Sequence, residues 1–214
     1  MTLSSRAREI LAGLDPATTK LGDLRALAKS IRKDHVLALE LWSTGAYLPR
    51  QLALLIMDPK QLSQDLADRL HSGMQAHREE EKLQLTDWLL ANQLSKDKRG
   101  IALMRSWEHS PSPLQRRTFW YYQGRLRWVG QTPPPNSACL LDAVEERICS
   151  EVPEVQWAMN FTAGQIGVFE PEYRLRCIAL GERTGLYRDE VVHRNCTPSY
   201  LPKFIAIQVA KLKP

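Results

Sequence analysis

Along the whole chain apolar residues recur every three to four positions, and no segment shows the strict alternation that a half-buried strand requires. In LGDLRALAKSIRK, Leu21, Leu24, Ala28 and Ile31 make one apolar stripe, while Arg25, Lys29 and Lys33 form a basic stripe at four-residue spacing. The periodicity predicts an amphipathic helix there, with further helices over about 35–43, 46–58, 60–75, 77–95, 97–109, 113–129, 136–150, 152–168, 171–184 and 198–211. The breaks carry suitable punctuation: STG after Trp42, DPK at 58–60, SPSP at 110–113 and TPPPNS at 132–137.

An all-α chain with such short helices and connections has two main architectures, a globular bundle or helix pairs stacked as a solenoid. In a solenoid each pair buries its apolar face only against its neighbours, and one row of helices lines a concave surface. The helix around Asp87, the QRRTFWYYQGR stretch and the QWAMNFTAGQIG stretch lie about one helix pair apart. That separation fits a repeat of about 30 to 45 residues, the range of degenerate HEAT-like units.

The segment LQLTDWLLANQL (83–94) predicts a helix buried nearly all round, yet it carries Asp87 in its middle. On a helix Asp87 shares its face with Leu83, Leu90, Ala91 and Leu94, so a carboxylate there needs a cation or donors from another helix. A structural acid and a catalytic carboxylate both satisfy the pattern. LQRRTFWYYQGRLRWVG offers the cation: Arg117 lies in line with Tyr121, Gly124 and Trp128, and Arg116 with Trp120, Gln123 and Arg127. Arginines interleaved with aromatics, here Arg116, Arg117, Tyr121 and Arg125, can grip phosphates and present ring faces to sugars or bases. A core helix with a charged edge has the same pattern. In EVQWAMNFTAGQIG one face reads Gln156, Asn160, Ala163, Gly164 and Gly167, small enough for a ligand or another helix to approach closely, while Trp157 and Phe161 read as core.

Composition narrows the function classes. The chain has 214 residues, 43% of them hydrophobic, enough for one sizeable core or two small ones. The longest apolar run, Leu52 to Met57, is too short to cross a membrane, and MTLSSRAREI lacks a signal-peptide core, so a cytoplasmic protein is expected. Cys139, Cys149, Cys177 and Cys196 form no CxxC pair and are expected reduced; His193 and Cys196 with Cys177 would be half a zinc site lacking its second pair. An excess of 29 basic over 24 acidic residues, net charge +5, leans toward a polyanionic partner. No GxGxxG, Walker loop, HExxH or GxSxG is present, which removes support for nucleotide-dependent, zinc-peptidase and serine-hydrolase chemistry.

The stretches DLRALAKSIRKDHVLALELWSTGAYLPRQLALLIMDP, LTDWLLANQL, LQRRT, WAMNFTAGQIG and HRNCTPSYLPKFI resemble successive signatures of the DNA alkylation repair (AlkD-like) proteins, over about residues 20–211. The resemblance implies one domain, 1–214, an all-α HEAT-like helical-repeat solenoid or α-α superhelix. It implies a DNA repair glycosylase that holds duplex DNA in a basic concave groove and excises cationic N3- and N7-alkylated purines, with no metal and no cofactor. It places Asp87 on the catalytic Asp, which stabilises the oxocarbenium-like charge as the base departs, and Arg117 on the Arg that contacts the DNA backbone. Arg25, Lys29, Lys33, Arg116, Tyr121, Arg125 and Asn160 complete the expected DNA contacts.

The departures from the family's pattern are as specific. Leu83 stands where the active pattern carries a Trp four residues before its Asp, and a second cleft Trp falls on Asn160 in an ungapped alignment, with Trp88 and Trp157 on other helical faces. Each stacking aromatic contributes about 1 to 3 kcal/mol by analogy with single-strand platforms. Three readings therefore stay open. They are a glycosylase, a DNA-binding paralogue without excision in which Asp87 and Arg117 form a buried ion pair, and a protein-interaction scaffold compatible with the acidic REEEK (78–82) and EER (145–147). The tail HRNCTPSYLPKF is assigned a structural role, with Cys196 packed.

Overall fold

The structure, a computed structural model, describes residues 2–128 and 132–212. Among these, every regular element is helical, and the chain divides into two compact units, Met1–Trp107 and Glu108–Pro214.

The first unit runs α1 (Ser5–Ala12), α2 (Leu21–Ile31), α3 (His35–Ser43), α4 (Tyr47–Ile56), α5 (Gln64–Met74), α6 (Glu79–Asn92) and α7 (Lys98–Arg105), with 3₁₀ turns at Pro59–Gln61 and Leu94–Lys96. Helix α4 is its centre and packs against α2, α3 and α6. Helix α1 lies in the stretch whose polarity gave no helical expectation; Ser4 caps it by accepting from the Ala7 amide at 3.1 Å, and only Ala7 is buried. Helix α2 stops at Ile31 because Arg32 takes φ 65°, so Lys33 is not on the helix and the basic stripe is two residues long. The stretch expected as one helix from 60 to 75 splits at Ser63, whose hydroxyl accepts from Leu66 N at 3.2 Å and starts α5.

The second unit contains α8 (Pro113–Trp128), α9 (Ser137–Arg147), α10 (Pro153–Phe169), α11 (Arg174–Thr184) and α12 (Leu201–Leu212), with a 3₁₀ turn at Pro171–Tyr173. Helix α10 is the hub, touching α8, α9, α11 and α12. Its small-residue face is a packing seam. A Cβ on Gly164 would lie 2.9 Å from the Phe204 ring, and one on Gly167 would lie 2.6 Å from Ile205, so only glycine lets α12 approach this closely. The loop before α12 is held by Glu190, whose carboxylate accepts from the Ser199 amide at 2.7 Å. Cys196, expected packed, is exposed in this loop, because a non-helical connection has no second layer to cover it.

Burial also tunes one titratable group in the first unit. His71 on α5 is buried, donates from Nδ1 to the Ala67 carbonyl at 2.9 Å and meets Trp107 edge-on at 5.4 Å. Loss of hydration lowers its pKa to about 4 from the ordinary 6.5. Between those values the unfolded chain takes up a proton that the folded chain refuses, so stability falls as pH drops through this window. We predict that urea unfolding followed from about pH 7 down to about pH 4.5 loses up to roughly 3 kcal/mol more in wild type than in His71→Leu, whose residue 71 cannot titrate. Equal pH dependence in the two would refute this assignment.

Candidate nucleic-acid interface

Helix α6 carries Asp87 on a one-sided rather than an all-round apolar surface. Leu85, Thr86, Leu89 and Leu90 are buried, whereas Leu83, Asp87, Trp88 and Ala91 are half-buried. The expectation of burial all round is thus corrected: the stripe 85, 86, 89, 90 faces the core, and Asp87 sits on the adjoining face together with Leu83 and Ala91, at i−4 and i+4. A carboxylate there keeps contact with solvent, and its charge costs far less than in a closed core. In the same unit Arg25 and Lys29 project from α2 and are exposed, while Lys33, beyond the helix end, lies 3.8 Å from the Asp58 carboxylate.

In the second unit α8 and α10 assemble an arginine and aromatic cluster. The Arg117 guanidinium stands 4.7 Å from the Trp157 ring centre and 5.8 Å from that of Tyr121, and donates to the Glu154 carbonyl at 3.1 Å. Trp157 stacks on Phe161 at 5.4 Å with an interplanar angle of 13°, and Tyr121 meets both rings edge-on at 5.5 and 5.1 Å. Arg125 closes the set, 5.6 Å from the Tyr121 ring and 5.5 Å from the Trp128 ring. Cations over ring faces gain about 0.5 to 2 kcal/mol each, more as water is excluded. Gly124 makes the arrangement fit, because a Cβ there would come within 2.7 Å of the Phe161 ring.

Two expectations are corrected by this cluster. Trp157 and Phe161 are half-buried beside Arg117 rather than core residues. Asn160 is 3% exposed and donates from Nδ2 to the Ser199 carbonyl at 2.8 Å, on the seam toward α12. The aromatic beside Arg117 is therefore Trp157, and Asn160 is turned toward the α12 seam instead. The signal was present, since Trp157 and Phe161 are four residues apart on one helical face. What was missing was the neighbour that turns this face outward.

The remaining arginines of α8 answer charges within the chain. Arg116 forms a bidentate pair with Glu151, at 3.0 and 2.9 Å, and also donates to the Ser110 carbonyl at 2.8 Å. This geometry is the one Arg uses for phosphate, here filled by a carboxylate. Arg127, 3% exposed, pairs with Glu170 at 2.5 Å and donates to Ser137 Oγ at 2.5 Å. The imagined zinc half-site does not assemble either: Cys177 is buried, its thiol pushed up to about 12 by desolvation, whereas His193 and Cys196 are exposed. Among the described residues no group of three His, Cys, Asp or Glu side chains could hold a metal ion, and no helix is long and apolar enough to cross a membrane.

Comparison with known proteins gives two positive findings. The sequence profile of the family described as DNA alkylation repair enzyme matches residues 17–174, a span that takes in Arg25, Lys29, Asp87, Arg117 and Trp157. A solved structure described as belonging to "a new family of proteins related to the HEAT-like repeat DNA glycosylases with affinity for branched DNA structures" is similar at TM-score 0.68 and 20% identity, covering 97% of this chain and 89% of that one. This likeness establishes the all-α, HEAT-like fold. No curated protein matches the chain.

The paired arginines yield a prediction of their own. Removing one partner of a buried ion pair leaves the other charge uncompensated, so we predict that Arg127→Met lowers unfolding stability by roughly 3 to 5 kcal/mol. The double variant Arg127→Met with Glu170→Gln should recover most of that loss in the same urea titration. A double variant as unstable as the single one would remove Glu170 as the group that Arg127 answers.

Proposed function

Because the chain belongs to the DNA alkylation repair enzyme family, we propose that it binds duplex DNA and excises cationic N3- or N7-alkylated purines with Asp87 as the stabilising carboxylate. The observation that carries this function is the family match, whose span includes an aromatic-backed arginine, Arg117 with Trp157 and Tyr121, and a half-buried carboxylate, Asp87. An alkylated purine already carries positive charge, so it departs without a proton from the protein. What the transition state requires is an anion near the deoxyribose, where the positive charge grows as the glycosidic bond breaks. Asp87 supplies that anion and accepts from the incoming water. Arg25, Lys29 and Arg125 supply phosphate contacts, Tyr121 a ring edge, and Arg117 a guanidinium held in orientation by the Trp157 face and the Glu154 carbonyl. Arg116 and Asn160 are omitted, because the first is paired with Glu151 and the second is buried.

A second function, DNA binding without excision, is favoured by Leu83. An aliphatic side chain one turn before Asp87 offers no ring to stack on a lesion nucleotide. The similar solved structure is described by affinity for branched DNA rather than by excision, which supports the same alternative.

Incubating methylated duplex DNA with the protein and quantifying free 3-methyladenine and 7-methylguanine decides between the two. We predict base release by wild type that drops at least about 100-fold in Asp87→Asn, the order lost when one transition-state electrostatic group is removed. Tight DNA binding with no base released selects the second function. Binding itself is tested by salt. Each phosphate neutralised contributes about 0.9 to the slope of log K against log salt, so Arg25→Gln with Lys29→Gln should make that slope shallower by about 2. An unchanged slope would remove α2 from the interface.

A further inference from the structure

Two cavities lie side by side where α10 meets α12, the first sharing Trp157 with the Arg117 cluster. One, about 180 Å³, is lined by Trp157, Asn160, Phe161, Thr197, Ser199 and Phe204. The other, about 240 Å³, has Trp128, Phe161, Phe169, Phe204, Gln208 and Lys211 among its walls. Phe161 and Phe204 line both, so the cavities are adjacent. Gly164 lets Phe204 lie flat against α10, since a Cβ there would come within 2.9 Å of that ring.

We propose that this face takes two consecutive unpaired bases of a DNA strand, one in each cavity, with Phe161 and Phe204 as walls common to both. The proposal rests on the DNA-binding function above and names the part of the DNA that this surface recognises. Each cavity has the room and the aromatic walls for one flat heterocycle. The walls also carry polar groups: Thr197 and the Asn160 amide in the first, with Ser199 held by Glu190, and Gln165 and Gln208 in the second, where Gln208 donates to Thr197 at 3.2 Å. Asn160 uses its Nδ2 on the Ser199 carbonyl while its Oδ1 is buried without a hydrogen-bond partner, leaving an acceptor close to the first cavity.

The charges fit a nucleic-acid strand rather than an apolar protein segment. Among the described residues no carboxylate lines either cavity, the Glu190 charge beside Ser199 being spent on the Ser199 amide and hydroxyl; Lys211 lines the second cavity, and α12, LPKFIAIQVAKL, contains no acidic residue while Lys203 on it is exposed. Arg125 stands 5.5 Å from the ring of Trp128, which is 53% exposed. Stacking on an aromatic is indifferent to which base is present, but it is open only to a base that has left its own stack. Such a face therefore discriminates structure rather than sequence: it favours a bulge, a fork or a strand crossing over a fully paired duplex.

The test uses the full chain, a matched duplex, and the same duplex with a two-nucleotide bulge carrying 2-aminopurine. Wild type is expected to bind the bulged duplex roughly tenfold more tightly than the matched one, and to lower 2-aminopurine emission on binding. Trp128→Ala should bring the ratio of the two affinities close to one, and Trp128→Phe should keep most of it. If wild type binds both duplexes equally with 2-aminopurine emission unchanged, the proposal is overturned while the DNA-binding function stands. A ratio that survives Trp128→Ala also overturns it. Failure to bind either duplex removes the DNA-binding function as well, and the two failures are thereby told apart.

Discussion

The contact between α8 and α10 sets the geometry of the second unit and of its arginine and aromatic cluster. Gly124 leaves the Phe161 ring no Cβ to meet, and Thr162 Oγ1 donates to the Trp120 carbonyl at 2.5 Å, pinning the two helices at this level. Once Phe161 lies against Gly124, Trp157 one turn earlier stacks on it, and the Trp157 face is where the Arg117 guanidinium rests. A single missing side chain on α8 thus propagates through two rings to the orientation of a cation. Helix α12 depends on an adjoining face of the same hub helix, through Gly164 and Gly167, so the glycine seam and the ring face of α10 meet along one edge.

The arginines divide by the company that their helices keep. Arg116 with Glu151, Arg127 with Glu170, Arg147 with Glu108 and Arg176 with Asp142 and Glu145 are ion pairs inside the second unit. Hydrogen bonds from Arg176 hold the Glu145 carboxyl below its usual range, the direction in which a paired carboxylate favours the folded state at neutral pH. These pairs fix how helices meet and leave little charge for a ligand. Arg25 and Lys29 on α2 and Lys203 and Lys211 on α12 are among the cations that face solvent. The formal charge of +5 is therefore a poor guide to where a polyanion would sit.

Most helical boundaries were legible because caps and breakers act locally. Asp34 accepting from the Leu37 amide starts α3 at the predicted position, and Pro113 and Pro153 open α8 and α10 where prolines are tolerated, in the first turn. The departures are local too, but carry weaker signals. A positive φ at Arg32, which has no glycine to announce it, ends α2 before Lys33, and a serine cap starts α1 in a stretch that otherwise looks merely polar. Asp87 was legible as an acid among apolar neighbours, but its degree of burial was not, because that depends on which side of α6 meets α4 and α5.

Periodicity by itself determined that the regular elements of the described residues are helical and where most helices lie, since a 3.6-residue repeat and its caps are properties of neighbouring residues. It also exposed Asp87, Arg117 and the two competing stripes on α10. Only tertiary structure decided which stripe faces inward. Both the small face and the aromatic face can bury, and the choice falls to shapes on other helices: Phe204 and Ile205 fill the glycine seam, and Gly124 gives Phe161 a place to lie without covering Trp157. The ring that ends beside Arg117, and the asparagine that disappears beneath α12's approach, follow from that fit between helices far apart in sequence.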